Sequence, residues 1–195
     1  MKQKDLKIKH NTITPGKGQI LIAEPFLSEV WFQRSVILLT EHSEEGSMGF
    51  VINKPIDFKV NDFFEGLAVE DIPLYCGGPV ETGRLFYLHC LSPEVIPNSI
   101  EVGGGVYFDG DFSAVCDYLA AGGLAYGAIK FFLGYSGWER GQLAAEIKRD
   151  TWLVSSSTKE LLFDTETTEV WSSALQQLGP EYSLWNTYPL DPGCN

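Results

Sequence analysis

Short runs of apolar residues, separated by polar turns, dominate the first half of the chain. Residues 19–23, 35–41 and 48–53 are rich in Ile, Leu and Val, a composition and length typical of buried β-strands. Between the second and third runs, residues 43–46 read Ser-Glu-Glu-Gly, which predicts a hairpin loop. These runs are therefore expected to be strands, the last two paired antiparallel.

The rest of the pattern adds short strands and a few isolated helices. Strands are predicted at residues 72–76, 84–89, 99–102, 106–108, 126–133 and 151–155, and helices at residues 26–33, 111–122, 141–147 and 170–178. Most strands follow one another through short turns, whereas the helices arrive late and singly. This order favours an α+β fold with a largely antiparallel sheet over a doubly wound βαβ fold.

Length and composition place this pattern in one globular domain. The chain has 195 residues, of which 44% are hydrophobic and 21% are charged, as in folded domains. We expect a flexible N-terminal arm at residues 1–15 and a single domain at residues 16–195. The N-terminal residues lack the apolar region of a signal peptide, and no apolar run reaches the roughly 20 residues of a membrane span. The prediction is a cytoplasmic protein with four free cysteines and no membrane contact.

The charge of the chain narrows the range of partners. There are 26 acidic and 14 basic residues, which give a formal net charge of −12 at pH 7, and the basic residues are scattered. Affinity for nucleic acids depends largely on clustered cations that neutralise phosphates. Direct nucleic-acid binding is therefore not expected, and the lysines at the start of the chain are interpreted as a solubilising tail.

Two segments invite a comparison with nucleophilic enzymes. Residues 134–137 read Gly-Tyr-Ser-Gly, but a nucleophile elbow needs one residue between its serine and its second glycine, so Ser136 is interpreted as a turn residue. Cys76 precedes two glycines. A Cys–His pair with His42 or His89 is one interpretation of it, and a buried free thiol is the other.

Glycine-rich and metal-binding patterns are also incomplete. Residues 103–105 are three glycines, but the Lys and Ser/Thr of a phosphate-binding loop do not follow them. The segment Gly77-Gly78-Pro79 indicates a tight bend with close backbone approach, or alternatively a nest of N–H groups for an anion. The Cys and His spacings match no metal motif, so neither a metal nor a cofactor is predicted.

Polar residues near the hairpin and near one helix form the last candidate group. Gln142 and Glu146 lie one helical turn apart and are either a surface pair or part of a cleft with Trp138. His42 and Asn53 flank the predicted hairpin, so we expect their side chains to lie close across it. A buried polar pair that holds the hairpin is the structural alternative.

Six segments in fixed order carry a pattern that runs from about residue 16 to about residue 190. They read Gly18-Gln-Ile-Leu-Ile-Ala-x-Pro, Ser35-Val-Ile-Leu-Leu-x-Glu-His42, Met48-Gly-Phe-Val-Ile-Asn-Lys-Pro55, Gly77-Gly-Pro-Val80, Leu88-His89 and Trp138-x-x-Gly-Gln-Leu-x-x-Glu146. Together these segments resemble the YqgE/AlgH family, also called UPF0301 or DUF179.

The resemblance implies a bifurcated, mostly antiparallel sheet that closes into a pseudo-barrel flanked by helices. It implies bacterial cytosolic proteins, some of them labelled transcriptional regulators of alginate synthesis, with no established biochemical activity. One position departs from the family pattern. An acidic residue usually follows the Gln-Leu of the last motif, where this chain has Ala144, which weakens any mechanism that needs two carboxylates on that helix.

A pseudo-barrel can bring the polar and glycine-rich motifs into one cleft. The candidate site residues are His42, Asn53, Pro55, Gly77, Gly78, Pro79, His89, Trp138, Gln142 and Glu146. The first hypothesis is a non-enzymatic regulatory or interaction module that binds an unidentified protein or small ligand, with any transcriptional effect being indirect. The second is a hydrolase-like enzyme with a histidine as general base. The third, a DNA-binding regulator, is disfavoured by the charge and by the lack of a basic recognition helix.

Overall fold

One curled sheet of ten strands organises the computed structural model of the chain, which describes residues 11–27, 29, 31–63 and 71–188. The strands are β1 (Gln19–Ala23), β2 (Val36–His42), β3 (Gly46–Val51), β4 (Pro55–Lys59), β5 (Pro73–Cys76), β6 (Val80–His89), β7 (Ile100–Gly103), β8 (Val106–Phe108), β9 (Ile129–Glu139) and β10 (Trp152–Ser156). The α-helices are α1 (Phe112–Ala120), α2 (Gln142–Lys148), α3 (Val170–Leu178) and α4 (Pro180–Ser183). Two 3₁₀ turns, Val60–Asp62 and Leu184–Thr187, and a π-helical turn, Glu160–Asp164, complete the described elements.

The sheet is antiparallel almost throughout. Its strands follow the order β10-β1-β2-β3-β9-β6-β8-β7, and each of these neighbours is antiparallel. Off this path, β4 pairs antiparallel with β5, which itself runs parallel to β9. The predicted largely antiparallel sheet is confirmed.

The sheet divides at the long strand β9. Residues 136–139 of this strand pair with β3, whereas residues 131–133 pair with β5. At the fork, Gly134 has a φ of 68°, and a Cβ there would lie 2.6 Å from the carbonyl oxygen of Gly78. Only glycine combines this conformation with such a close approach. The result is the expected α+β architecture, in which a bifurcated sheet curls into a half-barrel with a few flanking helices.

Both faces of β1, of residues 36–40 in β2 and of residues 49–51 in β3 are buried, which explains the apolar residues at these positions. Because successive strand residues point to opposite faces, one set packs under α3 and the other under α2. The α3 face includes Ile20, Leu38, Phe50, Trp171 and Leu175. The α2 face includes Leu21, Ile37, Val51, Leu143 and Ile147. A third cluster packs α1 against β5 and β9.

Three local predictions need correction. The helix expected at residues 26–33 is wrong, because the described positions of that segment form turns and leave Phe26 and Trp31 about half exposed. The strand expected to end at residue 133 continues to Glu139, since β3 pairs with its second half. Strand β4 was not among the predicted strands. It begins at Pro55, and a proline is tolerated at the first position of a strand. Across the described residues, no helix is both long and apolar enough to cross a membrane.

Candidate functional site

The last sequence motif builds a cluster around one carboxylate. Glu146 Oε2 on α2 accepts hydrogen bonds from the indole Nε1 atoms of Trp138 on β9 and Trp152 on β10, both at 2.8 Å. Glu146 Oε1 accepts a third from Gln142 Nε2 at 2.9 Å, and Gln142 Oε1 accepts from the backbone N–H of Glu139 at 3.1 Å. Both carboxylate oxygens are thus engaged. The cluster therefore holds α2 against β9 and β10, and the Glu146 carboxylate is not available as a free acid or base.

Asn53 has a structural position at one end of the β2–β3 hairpin. Its side-chain Oδ1 accepts from the Val36 N–H, and its Nδ2 donates to the Arg34 carbonyl oxygen, both at 2.9 Å. The next residue, Lys54, donates from Nζ to the Gln33 carbonyl oxygen at 2.7 Å. Asn53 and Lys54 therefore hold the segment that leads into β2.

His42 lies at the opposite end of the same hairpin. The register pairs His42 with Ser47, whereas Asn53 hydrogen-bonds to Val36. Val36 lies six residues before His42, at the other end of β2, so Asn53 and His42 are roughly 20 Å apart. The expected proximity of His42 and Asn53 is wrong, because the turn lies between His42 and Ser47 and Asn53 follows the distal end of β3. The exposed His42 has its Nδ1 2.7 Å from Ser47 Oγ.

The two glycines after β5 pack where three strands meet. The Gly77 carbonyl oxygen accepts from the Val51 N–H at 2.9 Å and from Ser136 Oγ at 3.1 Å. A Cβ at Gly77 would lie 2.2 Å from a β9 carbonyl oxygen, and Gly78 has a φ of 153°. Close backbone approach therefore accounts for both glycines, and Pro79 follows at the surface. The interpretation of Ser136 as a turn residue is wrong, because it is buried inside β9.

The other catalytic alternatives, His89 and Cys76, lack the environment that they need. The His89 ring is fully buried, with Nδ1 3.2 Å from the Leu91 carbonyl oxygen and Nε2 3.1 Å from that of Asp109. Burial lowers the pKa of His89, an effect that these two carbonyl contacts oppose. Burial raises the pKa of the Cys76 thiol, opposite to the shift that activates a nucleophilic cysteine. Within the described part of the chain, neither side chain forms an activated nucleophile–base pair.

Some of the predicted residues do come together, at the tip of the β2–β3 hairpin. Gly46 pairs with Glu139 and Ser47 with Trp138, which sets the tip beside the turn between β9 and α2. A shallow groove of about 740 Å³ lies on one side of this contact, and one of about 590 Å³, lined by His42, lies on the other. We call the larger one the hairpin groove. Its floor includes Met48, Val80, Tyr135 and Trp138, and its rim includes Glu41, Glu45, Glu139 and Gln142.

The rim of the hairpin groove carries a net negative charge. It contains three glutamates, and the neighbouring Arg140 pairs with one of them, Glu45. Both partners of that ion pair are more than two-thirds exposed, so water screens it and it contributes little to stability. Of the ten predicted site residues, Trp138 and Gln142 line the hairpin groove and His42 lines the smaller one. The other seven line neither groove: Asn53, Pro55, Gly77, Gly78, Pro79, His89 and Glu146.

A second concave site lies elsewhere and was missed by the sequence analysis. A cavity of about 100 Å³ is lined by Lys130 of β9, a lysine only 7% exposed, and by Tyr75 of β5. The sequence signal was a single charge inside the apolar run Ala128-Ile-Lys-Phe-Phe-Leu133. A lysine at such a position has to find a buried polar or aromatic partner.

Comparison with known proteins gives consistent results over nearly the whole chain. A family profile described as AlgH-like matches residues 20–183. A UPF0301 protein of Parabacteroides distasonis is 48% identical over 190 residues, covering 97% of this chain and 96% of the relative. A UPF0301 protein of Bacteroides fragilis is 46% identical with the same coverage.

Two solved structures share the architecture. The solution structure of AlgH from Pseudomonas aeruginosa is 32% identical, with a TM-score of 0.69, over 93% of this chain and 98% of that one. The crystal structure of protein DIP2367 from Corynebacterium diphtheriae is 22% identical, with a TM-score of 0.76 over 93% and 95% of the two chains, which shows a common fold. By the family profile and by these relatives, the chain belongs to the AlgH-like family, UPF0301, for which no function is established.

Proposed function

We propose that this protein is a non-enzymatic regulatory module that binds a cationic segment of a partner protein in the hairpin groove. The observation that carries the proposal is the groove itself, an apolar and aromatic floor inside a rim of exposed carboxylates. Partly buried aromatic and Met side chains are common anchors of protein interfaces, and rim charges steer and select partners. A segment that combines Lys or Arg with one apolar anchor fits both features.

The internal hydrogen bonds of the motif residues support binding rather than catalysis. The side-chain polar atoms of Glu146, Asn53 and His89 form hydrogen bonds with other parts of the chain. A general acid or base needs a polar atom within reach of the substrate. These three side chains therefore stabilise the fold, and none of them supplies a reactive group to the hairpin groove.

The charge of the whole chain supports an indirect route to any transcriptional effect. A formal net charge of −12 opposes binding to the phosphate backbone. We propose that the protein acts in the bacterial cytosol through a basic partner and does not contact DNA.

The test is photocrosslinking in cells with p-benzoylphenylalanine placed at Glu41 on the groove rim. The expected result is a defined protein adduct whose crosslinked peptide is rich in Lys or Arg. Charge reversal at the rim, Glu45→Lys with Glu139→Lys, should abolish the adduct. The pair Glu94→Lys with Glu101→Lys makes the same change in net charge on exposed residues outside the groove and should leave it intact.

Two results would contradict this assignment. One is an adduct that survives charge reversal at the rim. The other is an equally abundant adduct to the same protein from p-benzoylphenylalanine at the exposed Gln177 on α3, which does not line the groove.

One contact favours a second candidate function, ester hydrolysis. The 2.7 Å contact between His42 Nδ1 and Ser47 Oγ has the length of a nucleophile–base hydrogen bond. Purified protein would be assayed with p-nitrophenyl acetate and related esters. Hydrolysis that is lost in both Ser47→Ala and His42→Gln, and retained in the control Ser172→Ala, would establish this activity. Equal rates in all four proteins would eliminate it.

A further inference from the structure

Lys130 is a buried amine with few partners. Its Nζ donates one hydrogen bond to the Ile52 carbonyl oxygen at 3.3 Å and lies 4.6 Å from the centre of the Tyr75 ring. An ammonium group has three N–H donors, and the contact with Ile52 uses one of them in a conventional hydrogen bond. The lysine therefore retains capacity to bind a further group that enters from the adjoining cavity.

The cavity beside Lys130 is small and has walls from three parts of the fold. Its volume is about 100 Å³, which equals roughly three water molecules at about 30 Å³ each. The walls come from β5, from the loop that precedes β9 and from the segment after the π-helical turn, and they include Ile72, Tyr75, Gly127, Phe163, Thr165 and Glu166. A molecule of two to four carbon atoms matches this size.

The surroundings raise the fraction of the amine that is in the neutral, nucleophilic form. Burial lowers the pKa of Lys130 to about 8, although the charge of Asp164 acts in the opposite direction. At pH 7, about a tenth of the Lys130 side chains are then neutral, roughly 300 times the fraction for an ordinary lysine with a pKa near 10.5. A neutral amine is the form that attacks carbonyl carbon.

The charges around the cavity determine which ligands suit it. Glu166 lines the cavity, and Asp164 lies close enough to influence the ammonium group. Two carboxylates repel phosphate or carboxylate ligands by like charge. A small uncharged molecule avoids this repulsion.

We propose that Lys130 is a carbonyl-binding residue whose amine condenses with a small, uncharged aldehyde or ketone inside this cavity. The amine nitrogen adds to the carbonyl carbon to give a carbinolamine. The carbonyl oxygen then leaves as water with the two hydrogens of the neutral amine, and a C=N bond remains. No oxidant or reductant is consumed. This site is separate from the hairpin groove and does not depend on the function proposed there.

The test traps the imine in the intact wild-type protein. Acetaldehyde and sodium cyanoborohydride would be added at pH 7, and N-ethylation of each lysine would be followed by peptide mass spectrometry. The exposed Lys148 is an internal control in the same molecule. Lys130 is expected to be ethylated at least about tenfold faster than Lys148, since the neutral fraction of Lys130 exceeds that of an ordinary lysine. Its rate should level off above about pH 8.

A bulkier aldehyde tests the role of the cavity. Benzaldehyde exceeds the cavity volume, so it should label Lys148 and leave Lys130 unmodified. The variant Lys130→Arg keeps the cation, and it should lose the Lys130 product without any change in the Lys148 rate. If Lys130 is ethylated no faster than Lys148, or if benzaldehyde labels both equally, Lys130 is only a structural cation and the proposal fails.

Discussion

At the scale of single residues, one carboxylate connects three elements. Glu146 accepts from two indole N–H groups, so replacement by Ala leaves two largely buried donors without an acceptor. We expect Glu146→Ala to lower the free energy of unfolding by roughly 3 kcal/mol, and Glu146→Gln, which keeps one oxygen acceptor, by about 1 to 2 kcal/mol. Urea unfolding followed by tryptophan fluorescence measures both.

The matched control for this prediction is the exposed residue Glu94. Glu94→Ala should change the free energy of unfolding by less than about 0.5 kcal/mol. A loss of under 1 kcal/mol in Glu146→Ala would show that water replaces the carboxylate and that the cluster contributes little.

The sequence allowed part of this residue-scale picture to be predicted. The helical spacing of Gln142 and Glu146 correctly placed both side chains on one face of α2. The second indole, Trp152, could not be anticipated, because its contact depends on β10 lying beside that helix. Lys130 was missed for a similar reason, since its cavity is formed by segments distant in sequence.

At the scale of elements, the fork in β9 requires a glycine at position 77, where the chain after β5 passes close to the backbone of β9. A Cβ at Gly77 would lie 2.2 Å from the Gly134 carbonyl oxygen and 2.9 Å from Phe50 Cδ1. Neither a strand carbonyl nor a buried ring can move far without opening the fork, so we expect Gly77→Ala to cost about 3 kcal/mol or more. Thermal unfolding and soluble yield report the loss.

Gly83 in β6 is the control for the crossing glycine. Nothing lies within 4 Å of a Cβ built there, so Gly83→Ala should change stability by less than about 1 kcal/mol in either direction. Equal melting temperatures for Gly77→Ala and Gly83→Ala would contradict the close-approach argument.

Element prediction succeeded where apolar runs are bounded by turns, as in β1 to β3 and α3. It failed at residues 134–139, where Gly and Ser favour a turn locally, although pairing with β3 keeps the chain extended. Propensity is local, and strand pairing can override it. The register of the hairpin likewise separated His42 from Asn53, although the chain order suggested proximity.

At the scale of the whole molecule, the fold brings together distant segments, and two of the concave sites that it forms differ in character. The hairpin groove is wide, shallow and acidic, whereas the Lys130 cavity is small and contains a buried cation. The first follows from a hairpin that ends beside the start of a helix. The second follows from the fork in β9, which sets β5 beside the buried lysine. Composition and charge could exclude partners, but only the topology of the sheet could locate these sites.

Buried Lys130 also gives the stability of the whole molecule a distinct dependence on pH. Its pKa is about 8 in the folded state and near 10.5 when unfolded, so the unfolded state binds more protons between these values. Stability contributed by this group therefore rises with pH from about 8 to 10.5, and below pH 8 the buried charge is unfavourable.

Lys130→Met removes this dependence. The difference in unfolding free energy, wild type minus Lys130→Met, should rise by roughly 2 to 3 kcal/mol between pH 7 and about pH 10. Urea unfolding of both proteins at each pH measures it. Lys148→Met is the control, because it makes the same replacement at an exposed position outside the cavity. A flat difference for Lys130→Met would mean that the ammonium remains as well stabilised in the fold as in water, through Ile52 and Tyr75, and that its neutral fraction at pH 7 is no larger than that of an ordinary lysine.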